Sequence, residues 1–138
     1  MHGLSHITFI VRDLERAAAL FSHIFGAREV YASGDRTFSL SRERFFLIGD
    51  VWVCAMEGEP LRERTYNHIA FSVSEADFEK CARRVAEAGV DVIPDRPRVA
   101  GEGRSIYFYD FDNHLFEIHA GSLGERLRGY AENDRPGN

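Results

Sequence analysis

The chain is poor in the residues that mark several protein classes. Only two of its 138 residues are cysteine, Cys54 and Cys81. Two thiols make no disulfide framework, which excludes a small stapled scaffold and makes a reducing cytoplasm the expected compartment. Basic residues are in the minority, 17 against 22 acidic, for a formal charge of −5. No broad cationic face is expected, and nucleic acid is not an expected partner. Long apolar runs are missing. The longest reach about six or seven residues, against the ~20 that span a bilayer. The N-terminus has no basic region leading into a long apolar stretch, so no secretory signal is expected.

What is present suits a globule. The chain is 44% hydrophobic and holds 11 phenylalanines, enough for a real core. Its length suits one domain built from two half-size modules.

A weak duplication supports those modules. Residues 6–11 read H-I-T-F-I-V and residues 68–73 read H-I-A-F-S-V. Each segment leads into a helix signal. Asp13 can cap a helix from Leu14 to Phe25, with Leu14, Ala18, Phe21 and Phe25 at helical spacing and Gly26 as its stop. Ser74 with Asp77 resembles a capping box. It opens a helix that turns Phe78, Cys81, Ala82, Val85 and Ala88 inward before Gly89. Strands are expected at 28–31, 36–41, 44–48 and 51–56, then at 90–93, 105–109 and 115–119. The fold class is therefore α+β, two strand–helix–three-strand modules at about 3–57 and 66–121. Residues 57–66 connect them. A C-terminal helix and tail fill 122–138, with fraying expected after Tyr130.

Strand alternation sorts the polar residues onto faces. Ile7, Phe9 and Val11 share one face of the first strand; His6, Thr8 and Ile10 share the other. His68 repeats the position of His6. In the last strand, Glu117 lies between Phe116 and Ile118, and such a half-buried carboxylate needs a partner or a metal. A single strand histidine is ordinarily a core or rim residue. Two at equivalent positions, with a carboxylate, make His6, His68 and Glu117 a candidate divalent-metal site. The repeat puts the first-module counterpart of Glu117 near Ala55. Three protein ligands would leave positions open for water or substrate.

These segments resemble the vicinal-oxygen-chelate superfamily, the fold of glyoxalase I, extradiol dioxygenases and fosfomycin resistance proteins. The resemblance covers about residues 3–130. It is strongest to the epoxide-hydrolysing branch of the fosfomycin group, through S-G-D-R-T-F-S-L-S, E-R-T-Y-N-H-I-A-F and R-P-R-V-A-G-E-G-R-S-I-Y-F-Y-D-F-D-N-H-L-F-E-I-H-A-G. It implies paired βαβββ modules forming open barrels. It also implies a homodimer whose two chains share each site, so that His6 meets the partner's His68 and Glu117. It implies Mn(II), or another divalent metal, on those three ligands. Glu43, in S-R-E-R-F-F, falls on the branch's general base, which the glutathione- and bacillithiol-dependent relatives lack. Thr8, Tyr66, Ser105, Tyr107 and Arg126 fall on positions that hold or surround a phosphonate. Trp52 and Cys54 fall on the pocket wall. One departure concerns the stretch Pro97–Gly103, where some thiol-transferring relatives have a lysine and serines that bind potassium.

Several of these assignments rest on the resemblance alone. By itself, Glu43 in R-E-R reads as a solvated ion, and Arg126 as a surface partner of Glu125 or Glu132. Arg96, Arg98 and Arg104, with Gly101 and Gly103, read equally as an anion-binding loop or a solvated turn; Arg98 is the candidate substrate contact among them. His119 reads as a rim residue behind Glu117. The implied activity is metal-dependent addition of water to fosfomycin. A thiol transferase on the same epoxide is the first alternative, and Glu43 weighs against it. An Fe(II) extradiol-type dioxygenase and a non-catalytic drug or metal binder follow.

Overall fold

The computed structural model describes residues 1–134. It divides into two units, Met1–Arg64 with Phe111–His114, and Thr65–Asp110 with the chain from Leu115 on.

The first unit runs β1 (His6–Val11), α1 (Leu14–Phe25), β2 (Arg28–Ala32), β3 (Glu43–Ile48) and β4 (Val51–Glu57). The sheet order is β1-β4-β3-β2, with β1 parallel to β4 and the other pairs antiparallel. The capping residues read from the sequence set the ends of α1. Asp13 accepts the Arg16 N–H at 3.0 Å. Gly26, at φ 64°, lets its own N–H reach the Ser22 carbonyl and that of Ala27 the Phe21 carbonyl. One face of the sheet is covered by α1. Phe9, Val11, Phe46 and Val53 are buried with Ala17, Leu20, Phe21 and Ile24. The Phe21 ring meets Phe9 at 6.1 Å and Phe46 edge-on at 5.5 Å. Residues 111–114 join this core, where His114 lies 5.0 Å from the Phe9 ring.

The strand expected at 36–41 does not form. β2 pairs directly with β3. Ser33 and Glu43 tie the ends of the intervening segment together, Ser33 N–H to Glu43 O and Glu43 N–H to Ser33 Oγ, both at 3.0 Å. The segment closes as a loop, and Phe38 and Leu40 are exposed. Their alternation imitates a half-buried strand.

The second unit runs β5 (His68–Ser72), a 3-10 turn at Glu75–Asp77, α2 (Phe78–Glu87), β6 (Asp91–Ile93), β7 (Arg104–Tyr109), β8 (Leu115–Ala120) and α3 (Leu123–Asn133). Its sheet order, β5-β8-β7-β6, repeats that of the first unit, and each sheet is an open set of four strands. The box at Ser74 forms: its Oγ accepts the Asp77 N–H at 3.2 Å and donates to Asp77 Oδ2 at 2.7 Å. Phe78 and Val85 are buried, as are Phe108, Phe116 and Ile118 of the sheet.

Where fraying is expected after Tyr130, the helix continues to Asn133. Its last turn is closed by Asp134 N–H on Tyr130 O and Asn133 Nδ2 on Gly129 O. The remaining tail residues, 135–138, lie outside the described residues. Among the described residues, no helix is long and apolar enough to cross a membrane.

Candidate active site

In the first unit, strand register gathers the candidate base and wall residues. Thr8 is opposite Cys54 and His6 opposite Trp52 on β4; Phe45 is opposite Cys54, and Glu43 opposite Met56. Glu43, Cys54 and Thr8 therefore share a face. Glu43 is only 7% exposed, against the solvated ion that its charged neighbours suggest. Its Oε2 accepts the Cys54 thiol at 3.7 Å. Burial pushes that thiol up to about 11, and the Glu43 charge adds to the effect. His6 is exposed, its ring 4.5 Å from that of Trp52. Phe45 meets Trp52 edge-on, with ring centroids 5.2 Å apart. Trp52 Nε1 is buried without an acceptor among the described residues.

In the second unit, His68 and Glu117 meet, with His68 Nε2 3.0 Å from Glu117 Oε2. The far ring nitrogen, Nδ1, lies 2.7 Å from the Tyr66 carbonyl oxygen. A carbonyl only accepts, so Nδ1 carries a proton and donates it. In the neutral ring, Nε2 then points a lone pair at a buried carboxylate oxygen. Two acceptors this close need a cation or a proton between them. This donor set fits a borderline divalent metal, with the second ring nitrogen fixed by a carbonyl as ligating imidazoles commonly are.

The other carboxylate oxygen is also held. Ser105 Oγ donates to Glu117 Oε1 at 2.5 Å and lies 2.8 Å from His119 Nδ1. His119 thus stands behind the carboxylate, as its strand position suggests. Tyr66 and Tyr107 flank His68, with ring centroids at 5.0 and 5.4 Å. Burial, followed by Tyr66 and the Glu117 charge, pushes the Tyr107 phenol up to about 12, so it stays a neutral donor.

The three loop arginines separate. Arg104 pairs with Glu75 and Glu79 on the surface. Arg96 forks onto Glu102, at 2.8 and 3.1 Å. Arg98 donates from Nε to Asp95 at 3.3 Å. Its Nη1 and Nη2 are buried and have no acceptor among the described residues, and its guanidinium carbon lies 5.9 Å from the Tyr107 ring centroid. Only Arg98 keeps two forked donors for an anion, so the three-arginine loop reduces to one. Arg126 is half-buried and makes no pair with its acidic neighbours Glu125 or Glu132; its Nη2 donates to the Glu102 carbonyl at 3.4 Å.

The structure thus brings His68, Glu117, Ser105, Tyr66, Tyr107 and Arg98 together in one unit. Glu43, Thr8, Cys54, Trp52 and His6 stand in the other. Among the described residues, no three His, Cys, Asp or Glu side chains form a metal-holding group within the chain. The register corrects one correspondence. Thr8 pairs with Cys54 where Ala70 pairs with Glu117, so Cys54, not Ala55, is the counterpart of Glu117. Sequence reasoning gave Glu102 no role; its signal was a lone acid among three arginines.

The chain matches the family model described as Glyoxalase/Bleomycin resistance protein/Dioxygenase superfamily over residues 3–118. It is 64% identical to the fosfomycin resistance protein FosX of Mesorhizobium japonicum, over 92% of this chain and 91% of that protein. The chain belongs to the FosX group of this superfamily. A second FosX, from Listeria monocytogenes, is 58% identical over 94% of this chain and 98% of that protein. The fold agrees with solved FosX structures. A variant of the Listeria monocytogenes protein, complexed with Mn(II) and 1S,2S-dihydroxypropylphosphonic acid, has a TM-score of 0.86 at 54% identity, covering 94% of this chain and 98% of that one. The Mesorhizobium loti FosX has a TM-score of 0.82 at 58% identity, covering 93% and 98%. The metallothiol transferase FosB of Shouchella clausii is 38% identical, over 94% of this chain and 88% of that protein.

Proposed function

We propose that this chain is a Mn(II)-dependent hydrolase that adds water to the epoxide of fosfomycin and so confers resistance to it. The observation that carries the water-adding chemistry is the burial of Glu43, a carboxylate hydrogen-bonded to a thiol and not to a cation among the described residues. Such a group is available to take a proton. The diol phosphonate bound by the Listeria monocytogenes relative is an epoxypropylphosphonate plus one water, which supports the same reaction.

His68 Nε2 and Glu117 Oε2 would hold the metal. His6 from a second copy of the chain would complete the set, a dimer that the FosX resemblance supports. Bound Mn(II) supplies Lewis acidity toward the epoxide oxygen. Glu43 removes a proton from water as the water oxygen bonds to the epoxide carbon. The carbon–oxygen bond breaks, and the proton is returned to the released alkoxide. Arg98 presents its two free Nη donors to the phosphonate as a fork, and Arg126 adds charge. Tyr107, Tyr66 and Thr8 supply single donors, while Ser105, whose one proton goes to Glu117, holds that carboxylate. Trp52 and Cys54 wall the pocket. A carboxylate beside the attacking position favours water over a thiolate, which it would repel, and this places the thiol-transferase reading second.

Phosphorus NMR of fosfomycin with metal-stripped protein tests the proposal. Adding Mn(II) without thiol should convert the antibiotic to its diol. Conversion only when glutathione or bacillithiol is added would move the chain to the transferase chemistry. No conversion in either case would refute the activity.

A further inference from the structure

The loop between β6 and β7 has no regular structure over residues 94–103, yet it carries Arg98. Something must hold it. Glu102 is 4% exposed, and a carboxylate so buried requires full satisfaction. It receives the Arg96 fork, the Val99 N–H at 2.8 Å and the Tyr130 hydroxyl at 2.8 Å. Two of these partners, Arg96 and Val99, bracket Arg98. The third belongs to α3, the helix that carries Arg126. Arg126 itself donates to the Glu102 carbonyl.

Two glycines bring α3 against the same loop. A Cβ on Gly129 would collide with the Ala100 carbonyl oxygen, and one on Gly101 with the Glu125 carbonyl oxygen. Loop and helix therefore touch backbone to backbone, with Glu102 at the junction. The charge of Arg96 is taken up by Glu102, while the Arg98 Nη atoms are left without an acceptor among the described residues.

We propose that Glu102 is a positioning residue for the reaction: by clasping Arg96, Val99 and Tyr130, it holds Arg98 and Arg126 where they grip the substrate's phosphonate. Glu102 does not touch the substrate. The proposal rests on the hydrolase reading above. It predicts a loss in substrate binding and not in metal binding, because among the described residues the Glu102 carboxylate bonds to Arg96, Val99 and Tyr130 and not to His68 or Glu117.

The test compares the Mn(II)-loaded native protein with Glu102→Gln and Tyr130→Phe. Steady-state kinetics with fosfomycin are measured alongside calorimetric titration with methylphosphonate, which has no epoxide to open. Glu102→Gln should raise KM and weaken methylphosphonate binding by about tenfold or more, since misplacing binding groups by about 1 Å is costly. Its kcat should stay within about threefold and its Mn(II) affinity should be unchanged. Tyr130→Phe removes one hydroxyl from the clasp. It should move KM in the same direction by about threefold, and it keeps the test open if Glu102→Gln does not fold. Unchanged KM and methylphosphonate affinity in both variants, with native turnover intact, would overturn the role of Glu102 alone. A fall in kcat and Mn(II) affinity together would make its role one of general stability and would also overturn it. A native protein that neither binds methylphosphonate nor hydrolyses fosfomycin would overturn the functional reading and the clasp with it.

Discussion

Glu43 and Ser105 stand at the same point of the two half-sheets with their chemistry exchanged. Glu43 is opposite Met56 on the neighbouring strand, and Ser105 is opposite His119. Each reaches diagonally to the next residue on its face. Glu43 accepts from the Cys54 thiol, and Ser105 donates to the Glu117 carboxylate. In the first unit the carboxylate is on the third strand and the donor on the fourth; in the second unit the order is reversed. One duplicated frame thus holds two carboxylates, one by a thiol on the fourth strand and the other by a hydroxyl on the third.

The Ser105 hydroxyl fixes the carboxylate that faces His68. Replacing Ser105 with Ala leaves Glu117 Oε1 without that donor. Mn(II) affinity should fall about 10–100-fold, the usual effect of losing a hydrogen bond behind a metal ligand. Titration followed by the paramagnetic resonance of free Mn(II) checks this. An unchanged affinity would remove Ser105 from the metal's support.

The Cys54 thiol is pushed up to about 11 by burial and the Glu43 charge, so its thiolate is scarce at neutral pH. Cys81 on α2 is less buried. Alkylation by iodoacetamide at pH 7.5 should therefore label Cys81 first, with the Cys54 rate rising as pH approaches 11. Peptide mass spectrometry reads the order. Faster labelling of Cys54 would contradict the environment described for Glu43.

Phe21 is fully enclosed, with Phe9 and Phe46 against its ring. Phe21→Ala should cost about 3–5 kcal/mol, the range for emptying an aromatic site in a packed core. Denaturant unfolding measures it. A loss under 1 kcal/mol would mean that the first unit's core collapses around the gap.

Much of this was legible in the sequence because the signals were local. Asp13 and Gly26 bound α1, Ser74 opens the turn into α2, and alternation places His6 and His68 on matching faces. The segment 36–41 misled because Phe38 and Leu40 alternate like strand residues, whereas the Ser33–Glu43 bonds that close the loop join residues ten apart. The burial of Glu43 was hidden for a related reason. Arg42 and Arg44 on either side pair with Glu57 and with Glu15 and Glu29, and only strand alternation turns Glu43 away from them. The register of Cys54 with Thr8 shifts the repeat by one residue in the last strand of each unit, a slip that no count along the chain reveals. Glu102 gathers partners from residues 96, 99 and 130, and no short motif encodes such a set.

The central claim, water addition with Glu43 as the base, is tested most directly by turnover in ¹⁸O-labelled water with Mn(II), with and without glutathione, for the native protein and Glu43→Gln. The native protein should give a diol carrying one ¹⁸O and no thiol adduct. Glu43→Gln should lose roughly 10²–10⁴-fold in rate while binding Mn(II) as the native protein does. A glutathione adduct as the main product, or a Glu43→Gln variant that hydrolyses at the native rate, would contradict the account.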